Sequence, residues 1–381
     1  SALSSILSER DQLPDLGSRA DIRDARDMVL NADTPYGPIL KELMLEGAKG
    51  VMVPLLILCP FAMLWTVYYE SEAFRCFFNE CLDRFPNDYE HMWDMLLYSD
   101  EVVPGNQLSH DNHRKHWVIY YSFLQFGALP LTSEDLWFTI ACKRSALLAL
   151  ALAGISQAFS AVLKHLFCES TSFHRSGLVL NAPDGREVRI FVKLSHILQD
   201  GDAHKRVWNI TGDAGTRFCM LCRNVFAEKS GISAMTDESG EMETVELLTM
   251  SVVHYNDLVL STDDSIRATI RELEAARATD SAGDFVFRQQ AYGFKYCPRS
   301  LLQTPALLDV VKPATQLMHD WMHAMVVHGA FNTIMFLMLQ AMINAGFTDA
   351  YEQFSEFLRS WTWPKRSRMN SIDLANIFFE N

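Results

Sequence analysis

Three carboxylates in this sequence stand where apolar elements stop: Asp100 after MLLYS, Asp200 after HILQ, and Asp320 in LMHDWMH. Taken one at a time, each is accounted for locally, because Asp bonds its own backbone, initiates turns and suits the first turn of a helix. Taken together they suggest different chemistry. Carboxylates gathered by folding repel one another and rise in pKa unless a cation neutralises them. Hard oxygen ligands with few protein contacts suit Mg²⁺ or Mn²⁺, which keep bound waters and accept substrate phosphate oxygens. Two such ions set for an in-line displacement are the machinery of phosphodiester cleavage and transfer. Asp100, Asp200 and Asp320 are therefore the expected catalytic residues and Mg²⁺ ligands.

A second group is sulfur-based. FCMLCRN places Cys219 and Cys222 two residues apart, which is half of a zinc knuckle. His323 in DWMHAM, Cys297, His204 and His319 are the candidates for the remaining Zn²⁺ donors, and spacing does not choose among them. A tetrahedral site completed by His323 would tie this segment to the last helix and fix Asp320. A reduced thiol pair or a redox motif is the alternative reading of the same CxxC.

These groups must be positioned by the elements around them. Residues 1–94 read as a helical region: SRADIRDARDMVL is amphipathic, VMVPLLILCPFAMLWTVYY at 51–69 reads as a buried helix pair broken by Pro54 and Pro60, and Phe74, Phe77, Phe78 and Cys81 form a core stripe. From residue 95 the character turns to β, with MLLYSD, WVIYYSFLQFG and LWFTIACKR separated by Pro, Gly and Asn. A helix-like run at 145–167 follows, then GLVLNAPDGREVRIFVKLSHILQD, whose PDGR is a hairpin turn. The order is three strands, a helix and a strand. If the first strand lies beside the fourth, Asp100 and Asp200 end neighbouring strands although a hundred residues separate them. An insertion at about 203–300 carries the CxxC, an acidic stretch at 228–246 and a charged helix at 264–278. A long apolar helix over 315–346 and a helical tail at 346–381 close the chain, whose apolar IFFEN end is expected to need a partner surface, as in a fragment.

Composition bounds the rest. The chain has 381 residues, 49% of them hydrophobic and 21% charged, which is the make-up of a folded protein with a sizeable core. Asp and Glu total 47 against 33 Lys and Arg, a net charge of −14 that by itself opposes a nucleic-acid partner. Local basic clusters run the other way, at 113–115 (HRK) and 363–368 (WPKRSR). Eight cysteines are too few for a disulfide scaffold and SALSSILSERDQ lacks signal-peptide character, so a reduced compartment is expected. The 51–69 segment approaches spanning length, but its two prolines favour a soluble core over a membrane role.

At these residues the sequence resembles the DDE/D transposases of the CACTA (En/Spm) type, the transposase family 21 group. YSDEVVPGN is similar to that family's first-acid motif and carries a metal ligand onto Asp100. ILQDGDAHKRVWNITGDAGTRFCMLC resembles its second block, which puts the second ligand on Asp200 with Asp202 as the alternative. LMHDWMHAMVVHGAFN resembles its Asp-x-Met-His block at Asp320, Met322 and His323, and departs from it at Met325, where the family usually has Glu. The resemblance spans about residues 95–345. It implies an α/β, RNase H-like mixed sheet with flanking helices, and a nuclear enzyme that cleaves DNA at transposon ends and joins the freed 3′-hydroxyl to target DNA, with homo-oligomeric synapsis and no membrane partner. Arg114, Lys115 and Lys205 would then meet phosphates, and His204 would orient water. An inactive transposase-derived binding protein and a membrane-associated helical protein are the alternatives.

Overall fold

Along strand 93–102 the alternate side chains Trp93, Met95, Leu97 and Ser99 are buried, and that face sets the frame of the sheet. The computed structural model describes residues 27, 32–103, 114–181, 185, 187–212, 215–227, 248–249, 255–326 and 330–360. The expected helix at 18–30 (Asp27 apart), the acidic stretch 228–246, the basic run 363–368 and the terminal IFFEN lie outside the described residues. The chain divides into two units, Ser1–Met318 and His319–Asn381.

The first unit opens with a short antiparallel pair, β1 (Asp33–Thr34) and β2 (Gly37–Pro38), followed by β3 (Leu40–Glu46) and β4 (Met52–Leu58). Helices α1 (Pro60–Glu70) and α2 (Glu72–Arg84) lead into β5 (Trp93–Val102), β6 (His116–Phe123) and β7 (Phe138–Arg144). A short α3 (Ser145–Leu148) and the longer α4 (Gly154–Phe167) precede a hairpin of β8 (Leu178–Asn181) and β9 (Glu187–Ile190). Then come β10 (Val192–Gln199), α5 (Gly201–Val207), the two-residue pair β11 (Val225–Phe226) and β12 (Leu248–Thr249), α6 (Asp263–Thr279), α7 (Ala282–Tyr292), α8 (Pro313–Gln316) and β13 (Leu317–His319). Seven strands form one mixed sheet in the order β13-β10-β5-β6-β7-β4-β3, with β10 parallel to β5 and β3, β4, β5, β6 and β7 paired antiparallel.

One face of this sheet carries the core. Trp93, Met95 and Leu97 of β5 lie with Ile119, Tyr121 and Phe123 of β6, Phe138 and Ile140 of β7, and Leu55 and Ile57 of β4, all at most 2% exposed. Helices α1, α2 and α4 supply Phe61, Leu64, Tyr68, Phe78, Phe159, Val162 and Leu163 to the same cluster. Aromatic rings do much of the filling: Phe61 stacks on Phe173 at 4.1 Å, and Phe78 meets Trp93 at 5.1 Å, geometries that add to plain area burial. The Phe78 and Cys81 members of the expected core stripe are buried, while Phe74 and Phe77 pack against the cluster from its edge. The second unit contains a single π-helical turn at Met322–Val326, α9 (Ala330–Asn344) and α10 (Ala350–Ser360).

Four expectations are corrected. Residues 51–69 are not a helix pair: Met52–Leu58 is strand β4, and only Pro60–Glu70 is helix. Within β4, Val53, Leu55 and Ile57 point inward while Met52 and Leu56 stay 49% exposed. Period-2 alternation was hidden because the outward positions are apolar too. Pro54 is tolerated because β4 meets β7 only at Ile57↔Ala141, so its missing N–H breaks no rung on that side. With β3 and β4 in place, the described part of residues 1–94 is mixed strand and helix rather than helical. The run 145–167 splits at 149–153, where Leu152 N–H donates to the Glu46 carbonyl at 2.9 Å and Ala151 bridges Gly47. The expected helix over 315–346 is broken at its start by β13 (Leu317–His319), and its described helical parts are Met322–Val326 and Ala330–Asn344. One stretch, Met322–Asn344, is long and apolar enough to cross a membrane by length and composition.

A buried polar chain closes the β5–β10 seam. Gln199 Nε2 donates to Ser99 Oγ at 2.8 Å, and Trp208 Nε1 donates to Gln199 Oε1 at 3.0 Å; all three residues are fully buried. Gln199→Met fills the same space but strands two polar partners. Such a loss costs about 2 kcal/mol, so the urea midpoint of Gln199→Met is expected to fall with an unchanged slope. An unaltered midpoint would mean that the seam does not depend on this chain.

Candidate active site

The parallel register pairs Leu198 with Tyr98 and Gln199 with Ser99. Asp100 follows within β5, two residues before its end, and Asp200 is the first residue after β10, so both acids lie near the carboxyl ends of adjacent parallel strands, the edge where open α/β sheets bind ligands. Because strand side chains alternate between faces, Ser99 and Gln199 point into the core, and Asp100 falls on the opposite face with Tyr98. The Tyr98 hydroxyl donates to Asp100 Oδ2 at 3.4 Å, and its ring stacks on Tyr120 at 6.3 Å. Asp100 is half-buried and lies across from Val118 of β6.

Asp200 has a local role as well. It is the N-cap of α5, and its Oδ1 accepts from Ala203 N–H at 2.7 Å, which satisfies one of the orphan donors of the first turn. Asp202, the alternative second ligand, pairs with Arg206 at 2.7 Å on the exposed side of the same helix. His204 does not face solvent: its ring is 2% exposed beneath α5, which removes it as a residue that orients water. Lys115 pairs with Glu101 at 2.9 Å; Arg114 flanks the same strand end.

Asp320 belongs to the second unit. Its Oδ1 accepts from Met322 N–H at 2.9 Å, and its Oδ2 pairs with His323 Nδ1 at 2.8 Å. It therefore starts the turn in which His323 lies, and the Asp–His pair forms a unit of its own. Among the described residues, no group of three His, Cys, Asp or Glu side chains gathers as a metal cluster.

Cys219 and Cys222 do come together. The Cys222 thiol donates to Cys219, which, outweighing the opposing effect of burial, draws the Cys219 pKa down to about 6 and pushes that of Cys222 up. Arg217 lies beside them, 8% exposed, with Nε on the Cys222 carbonyl at 3.1 Å and NH2 on Ser261 Oγ at 3.2 Å. Burial lowers its own pKa to about 10. Cys297 is engaged elsewhere, donating to the Leu152 carbonyl at 3.1 Å. The described residues thus give a zinc ion two of four donors, and what they show is a polarised thiol pair.

Tyr98, the Ser99–Gln199–Trp208 chain and Arg217 position these groups, and none was singled out from the sequence. Only Trp208 and Gln199 carried a signal, as polar-tipped side chains within otherwise apolar runs.

The thiol pair is directly testable. At pH 7 a thiol of pKa about 6 is mostly thiolate, so Cys219 is expected to alkylate with iodoacetamide along a titration centred near pH 6. Cys222→Ala removes the donor, and the rate at pH 7 should then drop about tenfold, nucleophilicity partly offsetting the lost thiolate; an unchanged profile would show that the pair is not coupled. Compared by sequence, the chain matches no protein-family model and no curated protein.

Proposed function

We propose that this chain is an RNase H-like, metal-dependent DNA transposase of the CACTA (En/Spm) type. The observation that supports it most is the parallel pairing of β10 with β5, which brings Asp100 and Asp200 to adjacent strand ends. The strand order β13-β10-β5-β6-β7 is consistent with it: three antiparallel strands, a helix, a strand returning beside the first, and a further strand outside that one.

The donor set fits Mg²⁺ or Mn²⁺, which need only one or two carboxylates and fill the remaining positions with water and phosphate oxygens. Asp100 and Asp200 would hold the ion; Asp320, the third acid that the resemblance implies, belongs to the second unit. Bound there, such ions would polarise the scissile phosphodiester and make a bound water or 3′-hydroxyl a better nucleophile. The chain's own residues supply the geometry. The β-ladder fixes how far apart the two carboxylates stand, Tyr98 orients Asp100, and the α5 cap commits Asp200 Oδ1, so Oδ2 is the oxygen it would give a cation. Lys205 and Arg114 are placed near that edge in the chain to meet strand phosphates, as Lys and Arg commonly do. DNA ends and target DNA as partners, an assembly that holds two ends, and a nuclear location belong to the same proposal. Zn²⁺ at Cys219 and Cys222 would need donors beyond the described set.

A second reading is a transposase-derived protein that binds without cutting. It is favoured by the helix-starting bonds of Asp200 and Asp320 and by Met325 in place of an acid. One substitution separates the two. Asn caps a helix as well as Asp does, so Asp200→Asn keeps α5 and the melting temperature but removes an anionic oxygen. Mn²⁺-dependent cleavage of nicked or branched DNA is expected to fall about 100-fold, equivalent to about 3 kcal/mol of lost transition-state stabilisation. Equal cleavage by both proteins, or none by either, would favour the binding protein.

A further inference from the structure

The zinc ion that the CxxC suggests does not fit what surrounds the two sulfurs. Among the described residues no third His, Cys, Asp or Glu joins Cys219 and Cys222, and the charge that stands beside them, the buried Arg217 guanidinium, is positive. A dication placed on the sulfurs would be repelled by it. A thiolate is attracted instead, because a neighbouring Arg favours the ionised form of a cysteine. Arg217 in turn has no carboxylate partner among the described residues. Its Nε donates to the Cys222 carbonyl at 3.1 Å and its Nη2 to Ser261 Oγ at 3.2 Å, and the negative groups that act on it are Cys219 and Cys222. A guanidinium keeps its proton and is costly to bury without an anion, so cation and thiol pair stabilise one another.

The loop that carries the pair is held from both sides. Upstream, Arg217 N–H donates to the Gln290 carbonyl at 3.3 Å, and the Thr211 hydroxyl donates to the Arg217 carbonyl at 2.8 Å. Gly293, φ +78°, lets the chain pass close by: a Cβ there would lie 2.7 Å from that same carbonyl oxygen. Downstream, Cys222 bridges Leu260, and Arg223 N–H donates to the Val259 carbonyl at 2.8 Å. Asn224 fastens the same segment with both ends of its amide, Nδ2 on the Asp257 carbonyl at 2.8 Å and Oδ1 accepting from Val259 N–H at 2.9 Å. Between these anchors the Arg217 guanidinium closes the loop on the Cys222 carbonyl. The two sulfurs therefore stay within reach of each other when the hydrogen bond between them is lost, as disulfide closure requires. Both cysteines are half-buried, open to a small reagent.

We propose that Cys219 and Cys222 form a reversible dithiol–disulfide couple, with Arg217 as its counter-ion, that exchanges with low-molecular-weight disulfides such as oxidised glutathione. The Cys219 sulfur, which accepts the Cys222 hydrogen bond, attacks one sulfur of the reagent, forming a mixed disulfide and expelling a thiolate. Cys222 passes its proton to that thiolate and attacks the Cys219 sulfur; the protein S–S bond closes and a second thiolate leaves. The reagent disulfide is reduced to a thiol and a thiolate, and the protein's thiolate and thiol are oxidised by the same two electrons. Oxidation removes the negative charge beside Arg217. The reduced form is therefore the stabilised one, which makes the disulfide an easily reduced couple rather than a structural staple. Nothing in this exchange involves Asp100 or Asp200, and it stands whether or not that edge cuts DNA.

The test uses the full chain, purified without chelator. Its zinc content is measured first; the chain is then equilibrated in glutathione buffers of stepped reduced-to-oxidised ratio, quenched with iodoacetamide and read by peptide mass spectrometry. We expect no stoichiometric zinc, and a peptide spanning 219 and 222 that loses two hydrogens in oxidising buffer and regains them in reducing buffer. Arg217→Met should make that disulfide about tenfold harder to reduce, about 30 mV for the two-electron couple, and Arg217→Lys, which keeps the charge, should restore most of the difference. Cys222→Ser should stop at a glutathione mixed disulfide on Cys219. Cys297→Ser is the control and should change nothing, since that thiol donates to the Leu152 carbonyl. Zinc bound one to one that shields both thiols, no internal disulfide at any ratio, or a disulfide whose equilibrium Arg217→Met leaves unchanged would each overturn the proposal. Should Arg217→Met fail to fold, Cys222→Ser decides: a Cys219 that takes up no glutathione overturns it as well.

Discussion

The ladder between β5 and β10 is the constraint on which the rest depends. It is a parallel contact of the central sheet, it joins segments a hundred residues apart, and it is shut by the buried Ser99–Gln199–Trp208 chain. Parallel pairing needs a long crossover, and here the crossover contains β6, β7, α4 and the β8–β9 hairpin. Everything those elements bury on the helical face serves to hold two strand ends side by side. Without that contact Asp100 and Asp200 would be two unrelated turn residues.

The same edge presents different side chains on its two faces. Asp100 lies on the face of Tyr98 and Tyr120. Across the sheet, Glu101 pairs with Lys115 and Asp202 with Arg206. Alternation along one strand is enough to produce this, because Asp100 and Glu101 are consecutive and must point apart. A chain with net charge −14 would repel a nucleic acid at long range, so any affinity for phosphate has to be concentrated locally.

Much of the sheet could be read from sequence where its two faces differ in chemistry. Strands β5, β6 and β7 announce themselves by aromatic and β-branched residues, the β8–β9 hairpin by its PDGR turn, and α6 by its charge pattern and by Thr262, whose capping box with Ser265 starts it. β4 was misread because Met52 and Leu56 are apolar and exposed. The breaks in the two long apolar helices were not legible for a different reason. Both are made by distant hydrogen bonds, Leu152 to Glu46 in one case and Gln316 Nε2 to the Leu194 carbonyl at 3.0 Å in the other, and local sequence holds no record of them. In the site, the acids were visible as residue types at element ends.

If the paired strand ends form a metal centre, the ion itself is the most direct witness. Crystals of the chain grown with Mn²⁺, measured at the manganese absorption edge, should show an anomalous peak at the ends of β5 and β10, within coordination distance of carboxylate oxygens of Asp100 and Asp200. The peak should vanish in the Asp100→Asn protein. Manganese bound only elsewhere, or no peak at millimolar Mn²⁺ with both carboxylates ordered, would contradict the account.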